Sequence, residues 1–175
     1  IDEIYRVKKT GEKFVLSEGH AGLALYCVIE KYEGINAEKI FEHHGVHPDR
    51  CSDCHIDCST GSLGQGLPIA VGMALANREK NVYCLISDGE CAEGSIYEAL
   101  NIRQEQQLFN LKIYLNFNGW GAYKKIRGLP ISHIIYDELK VKFTNVDQLP
   151  FLKGQDAHYV ILDENMYKQA MEILK

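Results

Sequence analysis

Two short polar stretches, each at the end of an apolar run, carry side chains able to do chemistry. Val82 to Ile86 stops at Ser87-Asp88-Gly89 with a helical pattern directly behind it, and Leu111 to Phe117 stops at Asn118-Gly119-Trp120. Asp-Gly at a helix start offers a diphosphate outward-pointing backbone N–H groups and, at Gly89, an approach with no Cβ in the way. The Asp88 carboxylate would repel phosphate unless a cation bridged the two. Mg²⁺ does this with one or two protein oxygens, phosphate and water completing its shell; Ca²⁺ takes the same class of ligand. Asn118 adds a neutral amide oxygen, and the turn at Gly119 aims a backbone carbonyl, that of Trp120, at the same ion. Asp88, Asn118 and Trp120 are therefore the expected metal ligands. Asp-Gly after a strand is also a common structural turn; its coupling to Asn118 and to a glycine-rich segment upstream favours the functional reading.

The elements that must position these residues are legible from pattern. Ala21–Tyr32 reads as a helix, since Leu23, Ala24, Cys27, Val28 and Ile29 fall mostly on one face. Ala37–His43 reads as a short helix, and residues 44–61, polar with Gly45, Pro48 and three cysteines, as a long ordered loop. Leu63–Arg78 is apolar nearly all round, hence a buried helix, with Gly64, Gly66 and Gly72 allowing close approach. Val82–Ser87 and Leu111–Phe117 are strands with a helix, Ser95–Gln106, between them. Towards the end, His158–Leu162 is expected as a strand and Asn165–Leu174 as an amphipathic helix. Near-continuous apolar strands alternating with helices predict a three-layer α/β/α fold on a mainly parallel sheet. Ligands of such sheets lie at the carboxyl ends of the strands, where Asp88 and Asn118 both fall.

The bulk numbers agree with one domain over 1–175. Hydrophobic content of 46% and charged content of 25% are those of a globular chain. A net charge of −5 with scattered basic residues argues against a nucleic-acid partner. No apolar run reaches the length of a membrane span, and no secretory leader is recognisable. Cys27 and Cys84 lie in apolar segments where cysteine acts as a small hydrophobe, so a cytoplasmic location without disulfides is expected.

Asp-Gly followed, after a helix and a strand, by Asn-Gly is the pattern of thiamine diphosphate enzymes, and the details resemble the diphosphate-binding N-terminal domain of transketolase. "STGSLGQGLPIAVGMALA" (59–76) is similar to that family's glycine-rich segment, "LSEGHAGLALY" (16–26) to its Ser-x-Gly-His-Ala helix start, and "GVHPD" (45–49) to its Gly-His-Pro loop with one residue inserted. The resemblance runs in order from about residue 12 to about residue 125. It implies a thiamine diphosphate cofactor with Mg²⁺ held by Asp88, Asn118 and the Trp120 carbonyl, and with Gly89 against the diphosphate. Gly61, Leu63 and Gly64 would line the cofactor. His20 and His47 match histidines that contact substrate and move protons, and Glu93 matches a glutamate linked across a subunit interface to the partner's catalytic carboxylate. Ser87 departs from the family's usual Gly-Asp-Gly. The family's cofactor-activating glutamate belongs to another domain, so the resemblance implies a pyrimidine-binding partner chain, a heterotetramer, and ketol transfer from a ketose or its phosphate to an aldehyde. A 2-oxo acid decarboxylating carboligase and a non-catalytic cofactor-binding scaffold are the alternatives.

Other polar residues are expected to be ordinary. His43, His44, Glu90 and Glu98 read as surface or interface side chains. Cys51, Cys54 and Cys58, with histidine nearby, have zinc-ligand types but lack a second paired set at zinc-site spacing.

Overall fold

The computed structural model describes residues 1–121, 124–126, 139–145, 148–152 and 160–173. Ten elements follow in order: α1 (Asp2–Val7), β1 (Lys13–Leu16), α2 (Gly22–Glu33), α3 (Ala37–His44), α4 (Gly66–Ala76), β2 (Val82–Ser87), α5 (Gly94–Glu105), β3 (Leu111–Phe117), β4 (Leu139–Phe143) and α6 (Glu164–Ile173). The four strands form a sheet in the order β1-β2-β3-β4, every pair parallel.

Because successive side chains of a strand point to opposite faces, the register sorts the core into two halves. The row Val15–Cys84–Ile113–Leu139 packs with Leu67, Ala70, Val71 and Ala74 of α4 and Ile96, Ala99 and Leu100 of α5. The next row, Leu16–Leu85–Tyr114, turns the other way, onto Ile4 and Tyr5 of α1, Leu25, Tyr26 and Ile29 of α2, and Ala37 and Ile40 of α3. Helices thus cover both faces, as the expected three-layer α/β/α architecture requires. All six residues of β2 are buried, which is why that strand reads as an unbroken apolar run.

The expected helix at 63–78 is shorter at both ends. Residues 61–65 form a turn instead, with Gly64 at φ +75°, a left-handed conformation that glycine adopts without strain. The glycines also divide differently from the expectation. A Cβ on Gly66 would lie 2.6 Å from the Ser17 backbone, whereas one on Gly72 would meet nothing within 4 Å. Close approach is therefore the role of Gly64 and Gly66 and not of Gly72.

Three elements, α1, β1 and β4, have no counterpart in the sequence reading. Of the expected strand 158–162, residues 158 and 159 lie outside the described set and 160–162 are not in a strand; Leu174, at the end of the expected last helix, also lies outside it.

Candidate active site

The loops that follow β1, β2 and β3 meet at the carboxyl edge of the sheet. Asp88 follows the last residue of β2 and its N–H donates to the Asn116 carbonyl of β3 (3.1 Å), so the end of the sheet ladder fixes its backbone. Its side chain has 0% exposure. The Gly89 N–H donates to Asp88 Oδ1 (3.0 Å) and the Gly119 N–H to Asp88 Oδ2 (2.8 Å). Burial raises the Asp88 pKa, and these two N–H groups oppose the rise. Among the described residues no Lys or Arg pairs with it. A buried carboxylate with hydrogen-bond donors but no counter-charge is expensive unless a cation joins it.

The surroundings suit a small hard cation and a diphosphate. Gly119 turns the chain at φ +78°, and the Trp120 N–H donates to Asn118 Oδ1 (2.8 Å), leaving that amide oxygen a second lone pair. A Cβ on Gly89 would lie 4.0 Å from the Trp120 carbonyl oxygen and 3.4 Å from Gly121 Cα. Asp88, Asn118 and Trp120 thus lie just past the ends of two neighbouring strands, and oxygens of these kinds are the donor set of Mg²⁺ or Ca²⁺.

The glycine segment is joined to this corner by Glu90, which the sequence placed on a solvated or interface face. Glu90 instead has 0% exposure. Its Oε1 accepts from the Ser17 hydroxyl (2.6 Å) and the Gly64 N–H (3.0 Å), and its Oε2 from the Ser87 N–H (3.0 Å). One carboxylate thus ties together the loops after β1 and β2 and the turn before α4. The expectation failed because an isolated Glu in a helix-starting turn is usually solvated; its donors come from positions 17, 64 and 87, which only the fold brings together. Glu98 is exposed, as expected.

The remaining site candidates lie on the loop after β1, on the segment before α4 and at the start of α5. A Cβ on Gly64 would come within 2.7 Å of Glu93 Cβ, and the Ser95 hydroxyl donates to the Gly64 carbonyl (2.8 Å). Glu93 is exposed. Gly61 faces the His47 ring, 3.1 Å from where its Cβ would be, while Gly19 presses on the Gly61 backbone N–H, 2.7 Å from its own missing Cβ. The Thr60 hydroxyl donates to the Leu16 carbonyl (2.6 Å), closing the loop against β1. His20, on the short turn after β1, and His47 are both exposed. Leu63 is 44% exposed.

Glu18 is a second buried acid that sequence reading missed. Burial raises its pKa to about 7, the Asn116 amide opposing this at 3.4 Å and the charges of Glu90 and Asp88 adding to it.

The loop 44–61 also departs from expectation. Cys51 and Cys54 are joined as a disulfide, and His44 is half-buried with its Nε2 at 3.4 Å from Cys54 Sγ. Cys58 is not part of this group: it is buried, and its thiol donates to the Ser59 carbonyl. His43 is exposed. No helix among the described residues is long and apolar enough to cross a membrane.

Known proteins are similar to this chain. The sequence profile of the thiamine diphosphate binding domain of transketolase matches residues 8–121. Transketolase of Homo sapiens is 39% identical over 121 residues, covering 63% of this chain and 19% of the human protein. That of Mycoplasma genitalium is 31% identical over 155 residues, covering 77% of this chain and 23% of its own. The structure of transketolase from Leishmania mexicana superposes with a TM-score of 0.54 at 26% identity, over 63% of this chain and 20% of that one. The chain thus spans about a fifth of the length of these relatives. On the strength of the profile match and of these relatives, the chain belongs to the transketolase family and carries its thiamine diphosphate binding domain.

Proposed function

We propose that this chain holds the diphosphate side of thiamine diphosphate with Mg²⁺, as one half of an enzyme transferring a two-carbon ketol unit from a ketose or ketose phosphate to an aldehyde. The observation that carries this reading is Asp88: fully buried, oriented by the Gly89 and Gly119 N–H groups, and without a cationic partner among the described residues. Asp88, the Asn118 amide oxygen and the Trp120 carbonyl would hold the metal, with Gly89 against the diphosphate and Gly61, Leu63 and Gly64 lining the cofactor. When bound, the cofactor supplies the electron sink for breaking and making the carbon–carbon bond.

The chain's own residues would do the rest. Glu90 keeps the Gly64 turn and the Ser87–Gly89 corner in register. His20 and His47, both exposed, would hydrogen-bond the substrate's hydroxyls and pass protons at the reacting carbon. The pyrimidine side and its activating glutamate would come from a separate chain, two of each chain forming a heterotetramer. The exposure of Leu63 and Glu93 supports such a contact.

The test is reconstitution. The chain is used to capture its pyrimidine-side partner from the source cells with Mg²⁺ and thiamine diphosphate present, and ketol transfer by the complex is assayed. His20→Ala and His47→Ala are expected to lower kcat/KM roughly 10²-fold or more with cofactor retained. Unchanged turnover in both would remove them from the mechanism.

A further inference from the structure

The loop between α3 and α4 gathers three side chains that the cofactor reading leaves unused. One ligand atom from each of His44, Cys51 and Cys54 lies within 4.8 Å of the other two. Local structure builds this group from both sides. His44 ends α3, its ring edge-on to His43 at 4.5 Å and 6.4 Å from the Tyr26 ring of α2. Cys51 and Ile56 pair as an antiparallel bridge, each N–H donating to the other's carbonyl at 2.9 Å, so residues 52–55 must reverse tightly. Inside that reversal the Cys54 N–H donates to Cys51 Sγ at 3.1 Å. A backbone N–H aimed at sulfur stabilises the thiolate, the form that binds metal.

We infer that His44, Cys51 and Cys54 form a site for a thiophilic divalent cation, Zn²⁺, that clamps the end of α3 to the loop carrying His47. One imidazole and two thiolates are soft, tetrahedral-site donors, quite unlike the all-oxygen corner at Asp88; water completes the shell. His47 lies in the chain between His44 and Cys51, so the ion would hold both flanks of a residue whose ring packs on Gly61.

The disulfide must open first. Two equivalents of a small thiol do this: the S–S bond breaks, each sulfur gains an electron and a proton, and the reductant leaves as its own disulfide. Zn²⁺ then displaces both thiol protons to solvent. The site is thus a clamp whose metal-bound and disulfide forms exclude each other. It stands independently of the cofactor reading, because its readout is metal bound per chain.

The test uses the full chain reduced with a trialkylphosphine, loaded with Zn²⁺ and challenged with a chelator of known affinity. One zinc per chain is expected, with X-ray absorption showing sulfur at about 2.3 Å and nitrogen or oxygen at about 2.0–2.1 Å. Cys54→Ser and His44→Gln should each weaken zinc about 10-fold or more, and Cys58→Ser should bind as the parent does. Zinc should also slow amide exchange across residues 45–60 in the parent and not in Cys54→Ser. Failure of the reduced, folded parent to retain zinc would overturn the proposal. So would a shell without sulfur, or equal zinc affinity in Cys54→Ser, His44→Gln and the parent.

Discussion

Asp88 and Glu90 lie two positions apart, both without solvent exposure, and their neighbours give them different tasks. Glu90 is fully engaged by protein donors from three segments, so its role is to hold those segments. Glu90→Ala leaves the Ser17 hydroxyl and the Gly64 and Ser87 N–H groups without their acceptor, at about 1–3 kcal/mol each. Urea unfolding should therefore show a loss of at least about 3 kcal/mol; a loss below about 1 kcal/mol would show that Glu90 is not a hub. Glu18 predicts a pH dependence. Its folded pKa, about 7, lies above the ordinary 4.5, so between those values the folded state binds more protons than the unfolded one. Its contribution to stability is full below about pH 4.5 and declines as pH rises to about 7. Replacing it with Gln should flatten that decline, by an amount of order 3 kcal/mol, when parent and Glu18→Gln are unfolded in urea at pH 5 and pH 8. Identical pH slopes would contradict the burial of Glu18. Asp88 and Asn118 stood out in the sequence because Asp-Gly and Asn-Gly end two successive strands downstream of a glycine-rich segment, whereas Asp-Gly alone is a common turn. Glu90 was not, because nothing local distinguishes it from a solvated Glu.

At the scale of elements, legibility followed burial. β2 and β3 were read to the residue because β2 is buried throughout and β3 nearly so, the apolar run of β3 being interrupted only by exposed Lys112 and half-buried Asn116. β1 has only four residues, too few to show a period. β4 sits at the sheet edge and alternates Leu139 and Val141 with Lys140 and Lys142, whose charges reach Tyr114 and Glu3; half its residues look like loop. The start of α4 was misplaced because its apolar pattern continues backwards through Leu63, although the turn at 61–65 is held by hydrogen bonds and glycine geometry. This contrast gives a paired prediction. Gly66→Ala should cost about 1–3 kcal/mol, because its Cβ meets the Ser17 backbone. Gly72→Ala, in open space within a helix, should gain about 0.5–1 kcal/mol. Urea denaturation of both variants checks it, and equal effects would refute the assignment of close approach.

At the scale of the molecule, the cofactor-binding family match ends at residue 121, just past the Asn118-Gly119-Trp120 turn, so the matched region closes on the proposed metal corner. On the turn and loop before α4, Leu63 is 44% exposed and Val46 49% exposed. Large exposed apolar side chains on these segments suit the proposed partner contact. Leu63→Asp should leave stability within about 0.5 kcal/mol while abolishing ketol transfer by the reconstituted complex; undiminished transfer would exclude Leu63 from the contact. The central claim, that Asp88 anchors a metal-bridged diphosphate, is tested most directly by calorimetric titration of thiamine diphosphate into the chain with Mg²⁺, with excess EDTA, and into Asp88→Ala. Saturable binding is expected with Mg²⁺, abolished by EDTA and by the substitution alike, with the variant keeping its circular dichroism. Binding that survives either EDTA or the loss of Asp88, or no binding by the parent chain, would contradict it.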